Sequence, residues 1–186
     1  MIKKYVIIAG VNGAGKSTMF SIENEFSQIK KINLDELVRQ YGDWRNKDNV
    51  IKAGKKIIEL IDYCFMNGIS FCQETTLCGK GILNNIKRAK KLGYVVELHY
   101  IGLESSEIAK ARVRLRVENG GHGIPDTDIE RRYDESIKNL VDVIPICDLT
   151  VIYDNSLVFK RFAIYKFGKI IRISNNVPNW YENYMK

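Results

Sequence analysis

No segment of this chain approaches the ~18 consecutive apolar residues that a membrane-spanning helix requires, so no membrane role is expected. The four cysteines, Cys64, Cys72, Cys78 and Cys147, have no C-x-x-C spacing and sit mostly among apolar residues. That pattern reads as free buried thiols, and reduced thiols fit a cytoplasmic setting. Low-complexity stretches, Pro/Ser-rich linkers and internal repeats are all missing, so nothing divides residues 1–186 into more than one domain. A basic groove motif with interleaved aromatics is missing too, and nucleic acid is not an expected partner.

What is present is the composition of a globular protein, with 45% hydrophobic and 27% charged residues. The net charge of +7, from 29 Lys+Arg against 22 Asp+Glu, favours anionic partners without choosing among them. The N-terminal Met1-Ile-Lys-Lys-Tyr-Val-Ile-Ile-Ala9 is basic and then briefly apolar, but its apolar run is too short for a leader. It reads as a first strand.

Short apolar runs alternate with amphipathic segments. Candidate strands are Tyr5–Ala9, Lys31–Leu34, Ile69–Gln73, Tyr94–Gly102 and Leu149–Asp154, with a helix after each of the first four. The longest helix is expected around Val50–Met66, where Ile51, Ile58, Ile61 and Phe65 recur at helical spacing. Val- and Ile-rich strands separated by helices predict a buried parallel sheet with helices on both faces. Beyond Asp154, Phe162–Phe167 and Lys169–Ser174 flank Gly168 like the arms of a hairpin, and residues 178–186 are read as a short helix packing Trp180 and Tyr184 back on the body.

Gly10-Val-Asn-Gly-Ala-Gly-Lys-Ser17 matches G-x-x-x-x-G-K-[ST] in full, after a strand and before an expected helix, Ser17–Glu25. Glycines let successive backbone N–H groups point at phosphate oxygens, and the helix N-terminus adds its positive dipole end. Residues Gly10, Asn12, Gly13, Ala14, Gly15, Lys16, Ser17 and Thr18 are therefore the candidate nucleotide cradle. Lys16 would neutralise the β- and γ-phosphates of ATP and Ser17 would take a magnesium position. A guanine-reading N-K-x-D segment and the second signature of ABC-type ATPases are both absent.

Parallel α/β sheets place ligands beyond the carboxyl ends of their strands. Asp35 falls just past the second candidate strand and Glu74 just past the third, so both should open onto the crevice of Lys16. Either could contact magnesium through water. A kinase needs a carboxylate near the acceptor hydroxyl to accept its proton. Asn33-Leu-Asp-Glu36 also has capping-box spacing, with Asn33 as N-cap and Glu36 reaching back, and the alternative is a purely structural Asp35 favoured in the first turn by the helix dipole.

The densest basic cluster lies between Ala109 and Leu140: Lys110, Arg112, Arg114, Arg116, Arg131 and Arg132. Asn119-Gly-Gly-His-Gly-Ile-Pro-Asp126 interrupts it, and Thr127-Asp-Ile-Glu130 has the form of a capping box opening a second helix, with Ile129, Tyr133, Ile137 and Leu140 as its buried stripe. This is the layout of a closing lid. Lys110 and Arg114 read as solvated, whereas Arg112 and Arg116, at i, i+4 spacing, should approach one substrate. His122 reads as a residue supporting the lid or as an exposed loop histidine.

With these blocks in order, the chain resembles the zeta toxin family of P-loop kinases from Tyr5 to about Ser174. The resemblance rests on Gly10–Thr18, Ile32-Asn-Leu-Asp-Glu36, Gln73-Glu-Thr-Thr-Leu77, Arg116–Pro125 with Ile129-Glu-Arg-Arg-Tyr133, and Tyr153-Asp-Asn-Ser156. It implies a three-layer α/β/α core with a parallel five-stranded sheet in the order 2-3-1-4-5, a helical lid at about residues 104–141 and a C-terminal hairpin at about 157–174. It implies ATP-dependent, magnesium-assisted phosphorylation of a hydroxyl on a nucleotide sugar such as UDP-N-acetylglucosamine. Asp35 would be the general base, Glu74, Thr75, Thr76 and Arg39 would line the acceptor side, and Arg116, Arg131 and Arg132 would stabilise transferred charge. Asp154 and Asn155 would lie near the nucleotide base. An antitoxin protein is a further implied partner. Alternatives are a kinase for another small-molecule or nucleic-acid hydroxyl, or a non-catalytic nucleotide-binding half of a toxin–antitoxin pair. Val11 stands where many relatives have proline, Glu135 where a basic residue is expected, and the compact chain resembles the short chromosomal branch.

Overall fold

The computed structural model describes residues 2–22 and 29–185. Its centre is β1 (Lys4–Ala9), whose Tyr-Val-Ile-Ile-Ala run is buried on both faces. A strand so apolar on both sides has to sit between two strands and two helical layers. It pairs in parallel with β3 (Phe71–Thr75) and β4 (Val95–Gly102). β2 (Lys30–Ile32) adds to β3 and β5 (Leu149–Asp154) to β4, both parallel, which reproduces the 2-3-1-4-5 order.

The sheet does not stop at five strands. β6 (Lys160–Lys166) joins β5 antiparallel and β7 (Lys169–Ile173) joins β6, so the hairpin extends the main sheet to seven. Gly168, at φ +73°, makes the turn. The amide of Phe167 donates to Asp148 O at 3.0 Å and ties the hairpin tip to the start of β5.

The helices are α1 (Lys16–Ile22), α2 (Leu34–Tyr41), α3 (Lys47–Met66), α4 (Lys80–Lys91), α5 (Ser106–Glu118), α6 (Asp126–Val143) and α7 (Asn179–Met185). The last three residues of the expected helix Ser17–Glu25 lie outside the described residues. Two cores cover the faces of the sheet. Tyr5, Ile7, Phe65, Phe71 and Tyr94 belong to one, and Val6, Ile8, Val11, Ile101 and Ala109 to the other.

One helix pattern divides and one helix expectation is corrected. In α3, Ile61 and Phe65 are buried, with Phe65 against Tyr5 and Phe71, but Ile51 and Ile58 are exposed. Periodicity records which residues share a face and not which neighbour lies opposite, and α3 packs on α2 as well as on the sheet. In α6 the helix begins at Asp126, with Pro125 in the N-cap place and no side-chain cap, so Thr127 opens nothing. Asp126 and Asp128 fill the first turn, where the helix dipole favours carboxylates.

α7 closes the end of β4. Trp180 is buried, its Nε1 donates to Asp154 Oδ1 at 3.0 Å, and Tyr184 OH donates to Asp134 Oδ1 at 2.9 Å. Among the described residues no helix is long and apolar enough to cross a membrane. The cysteines are free; three are buried, and Cys78 is partly exposed.

Candidate functional site

β1 ends at Ala9, and the chain turns through Gly10, Gly13 and Gly15 at φ +143°, +81° and +97° before entering α1. Side chains rarely adopt such angles, and a Cβ on Gly10 would come within 2.3 Å of Ile101 O. Thr18 and Met19 amides close onto Gly15 O at 3.1 and 3.3 Å, whereas those of Lys16 and Ser17 have no backbone acceptor among the described residues. Lys16 is buried, with Nζ donating to Gly10 O at 2.9 Å and Val11 O at 3.2 Å. Burial holds its pKa below the usual lysine value, while the carboxylates of Glu74 and Asp35 oppose that shift. A buried ammonium beside an amide-lined turn fits a phosphate chain.

Opposite this loop, Asn33 caps α2: its Oδ1 accepts from the amides of Asp35 at 2.7 Å and Glu36 at 3.2 Å. The cap reading of Asn33 therefore holds, but the Glu36 carboxylate pairs with Lys31 at 2.9 Å. Asp35 occupies the first turn of α2. Glu74 lies inside β3 and not beyond it, because β1 pairs as far as Ile8↔Glu74 and Ala9↔Thr75. Asn33 Nδ2 donates to Glu74 Oε2 at 2.7 Å. Burial raises the Glu74 pKa, with Lys16 and Lys31 pulling the other way.

These groups share one cavity of about 420 Å³, bounded by Asn12, Lys16, Asp35, Glu74, Thr75 and Thr76. Arg131 and Arg132 of α6 complete its wall. Asn33, Gln73 and Cys78 also line it, and the sequence singled out none of them as site residues. Asn33 offered a signal, since a polar cap between a strand and Asp35 must lie at the sheet's carboxyl edge. Cys78 offered none.

The arginines separate. Arg112 Nη2 donates to Ser156 O at 3.2 Å and Nη1 to Gly13 O at 3.5 Å, behind the loop. Arg116, one turn on, places Nη1 3.8 Å from Asp35 Oδ2, so the two do not meet one partner as i, i+4 spacing suggested. Arg132 Nη1 donates to Asn12 Oδ1 at 3.2 Å. Arg131 is exposed and pairs with Asp128 at 3.1 Å and Glu135 at 2.9 Å. Lys110, expected to be solvated, is instead buried, with its ammonium held between the exposed carboxylates of Glu107 and Glu130, whereas Arg114 pairs with Asp126 at the surface as expected. Arg39 stands exposed in the last turn of α2. Asn155 Nδ2 donates to Ala14 O at 2.9 Å, against the loop backbone, while Asp154 holds Ser156 Oγ at 2.6 Å besides Trp180. Tyr133 OH donates to Leu103 O at 2.8 Å and fixes α6 to the end of β4.

Ser17 and Thr18 are solvent-exposed at the mouth of α1. Among the described residues no three His, Cys, Asp or Glu side chains gather as a metal cage. The Ser17 hydroxyl is the kind of single protein oxygen that magnesium takes beside phosphates and waters.

An uncharacterized protein of Haemophilus influenzae is 37% identical over 133 residues, covering 72% of this chain and 94% of its own. In fold the chain is similar to a structure of the PezAT chromosomal toxin–antitoxin system of Streptococcus pneumoniae, at TM-score 0.63 and 18% identity over 96% of this chain and 75% of that one. It is also similar to a chain of the AvrRxo1-ORF1:AvrRxo1-ORF2 complex, at TM-score 0.73 and 14% identity, where it is covered fully but spans only 64% of the other. The family model for the zeta toxin matches residues 2–161. A match that runs from the first strand to the opening of the hairpin takes in the whole cavity, and the chain belongs to the zeta toxin family.

Proposed function

We propose that this chain, an ATP-dependent phosphotransferase by family and fold, delivers the γ-phosphoryl group to a hydroxyl of a nucleotide sugar such as UDP-N-acetylglucosamine. The observation that carries the reading is the convergence of Lys16, Asp35 and Glu74 on one cavity. A phosphate cradle and a facing carboxylate are the minimum that in-line transfer needs.

On this reading the amides and glycines of residues 10–18 hold the triphosphate, with Ser17 as a ligand of magnesium and Asp35 or Glu74 reaching the ion through water. Bound magnesium-ATP supplies the electrophilic phosphorus and much of the charge neutralisation. Asp35 accepts the acceptor hydroxyl proton as its oxygen bonds to that phosphorus. Lys16, Arg116 and Arg132 offset the charge that builds on the phosphoryl oxygens and the departing diphosphate. Glu74, fixed by Asn33, and the hydroxyls of Thr75 and Thr76 orient the acceptor. Arg131 at the cavity rim and exposed Arg39, one turn beyond Asp35, supply charge for the acceptor's own phosphates. Asn155 keeps the cradle in shape from behind.

Arg131 is already paired with Glu135, in the place where a basic residue was expected. That pairing favours, as a second reading, a hydroxyl acceptor with fewer negative charges. Both solved relatives come from two-protein assemblies, which supports a partner protein of antitoxin type.

The test is mass spectrometry of a panel of UDP-sugars and nucleosides incubated with the chain, ATP and magnesium, looking for one added phosphoryl group. Asp35→Ala should keep ATP binding and lose roughly 10²–10⁴-fold in rate, the usual weight of a general base. Lys16→Ala should lose ATP binding itself. Normal turnover by Asp35→Ala would remove the base assignment.

A further inference from the structure

Asp35 is faced by two side chains from the helix–loop–helix segment. Arg116 Nη1 stands 3.8 Å from its Oδ2 and His122 Nε2 stands 3.8 Å from its Oδ1. Both donors carry buried atoms without hydrogen-bond partners: Nε and Nη2 of Arg116 and Nδ1 of His122. Buried polar atoms left unpaired are uncommon and concentrate where a site needs them.

The position of His122 is set from behind. Its ring lies 5.2 Å from that of Trp44, which sits in the turn between α2 and α3, at an interplanar angle of 48°. The next residue, Gly123, is buried, and a Cβ there would come within 2.7 Å of the Trp44 ring and 2.8 Å of Val117 Cγ2. The loop can approach Trp44 this closely only because residue 123 has no side chain. At its other end, α5 terminates with Gly120 at φ +79°, the amide of Gly121 donating to Arg116 O at 2.8 Å and that of Gly120 to Val117 O at 2.9 Å. This paired closure fixes where the loop leaves the helix. His122 is thus clamped between a defined helix end and an aromatic wall.

Burial lowers the His122 pKa, with Asp35 opposing and Arg116 assisting, so the ring is neutral near pH 7. A neutral imidazole has a single N–H, and with Nδ1 facing no acceptor the tautomer protonated on Nε2 turns that N–H toward Asp35. At 3.8 Å the pair stands beyond the usual N–H···O distance of about 3.0 Å, so a small closing movement would complete the bond.

We propose that His122, braced by Trp44, is a positioning residue that holds the plane of the Asp35 carboxylate from the side of the 119–125 loop. It rests on the phosphotransferase reading above, and it makes the seating of that loop on Trp44 a condition for an oriented base. His122 does not touch the reacting atoms and acts through Asp35.

The test takes the full chain with ATP, magnesium and UDP-N-acetylglucosamine. His122→Leu and Trp44→Leu should each lower kcat about 10- to 100-fold, the scale of a misplaced catalytic group, with KM for both substrates within about twofold. His122→Gln, whose amide N–H can stand near the place of Nε2, should recover most of the loss. An unchanged kcat in His122→Leu overturns the role, as does a loss shared with ATP affinity that His122→Gln does not recover. A second measurement needs no turnover: nitrogen NMR of the two histidines of the chain alone, with His122→Gln identifying the signal. A ring protonated on Nε2 whose signal moves in Asp35→Ala supports the pairing, and a signal indifferent to Asp35→Ala overturns it. If the unmodified chain phosphorylates no hydroxyl, the phosphotransferase reading falls and the NMR result alone decides the pairing.

Discussion

The side-chain amide of Asn33 donates to Glu74 at 2.7 Å, so the residue that caps α2 also fixes a carboxylate at the end of β3. Its Oδ1 meanwhile takes the amides of Asp35 and Glu36, and one side chain thereby sets both acidic walls of the cavity.

Asn33→Asp keeps a good cap but replaces the donor to Glu74 with a like charge. A hydrogen bond to a charged group contributes about 1.5–3 kcal/mol to stability, so Asn33→Asp should melt several degrees lower, and turnover should fall as Glu74 loses its anchor. Asn33→Ala should lose both that bond and about 1 kcal/mol of capping. Steady-state kinetics alongside thermal melts check this, and wild-type turnover in Asn33→Asp would show that Glu74 needs no fixing.

Arg131 and Arg132 are neighbours with different surroundings. Arg132 reaches the Gly10–Ser17 loop through Asn12, whereas exposed Arg131 is already paired twice. Arg132→Ala should cost about 10²–10³ in turnover, the range for removing a donor to developing charge. Arg131→Ala should leave the chemical step nearly intact and act mainly on KM for the acceptor. Equal losses of kcat in both variants would place them in the same role.

Glu74 leaves a signature in stability. Burial raises its pKa above the usual 4.5, so between the two values the folded chain holds a proton that the unfolded chain has released. Its ionisation therefore costs stability as pH rises through that window. Glu74→Gln should melt higher than the unmodified chain at neutral pH, and the difference should vanish below pH 4.5. Each kcal/mol is worth about 2–4 °C in a domain of this size, within reach of calorimetry.

His99 acts in the opposite direction. It is buried in β4 and its pKa is pushed down from 6.5 to about 4, first by burial and then by Lys4. The unfolded chain takes up the proton first, so stability is complete above pH 6.5 and is lost as pH falls towards about 4. His99→Gln should flatten that slope, which for one proton is at most about 1.4 kcal/mol per pH unit. Chemical denaturation at several pH values measures it; an unaltered slope would assign the loss to other groups.

Gly102 ends β4 beneath Trp180, and a Cβ there would lie 2.0 Å from the indole. Gly102→Ala should displace α7 at a cost of about 1–3 kcal/mol, the usual range for overpacking. Melting should fall by several degrees, and Trp180 fluorescence should shift as the ring becomes exposed. Melting within a degree of the unmodified chain would mean that α7 docks loosely.

Spacing along the chain was sufficient for the glycine turn from Gly10 into α1, because all its parts lie between Gly10 and Ser17 and local backbone geometry sets them. It was sufficient for the parallel strands, whose runs apolar on both faces can only be interior, and for the Asn33 cap, which is a contact across two or three residues. Chain pattern failed where the deciding partner was distant. Glu74 was placed beyond its strand because only the pairing with β1 extends that strand to Thr75. Ile58 and Phe65 share a face of α3, yet the sheet covers just one of them. The hairpin was legible as two arms around a glycine, but its attachment to β5 depends on an edge that exists only once the sheet is assembled. Asn33 meets Glu74 across 41 residues, and Arg132 meets Asn12 across 120. A linear pattern reports the bonds a segment makes with itself, and those partners were chosen by the packing of helices onto the carboxyl edge of the folded sheet.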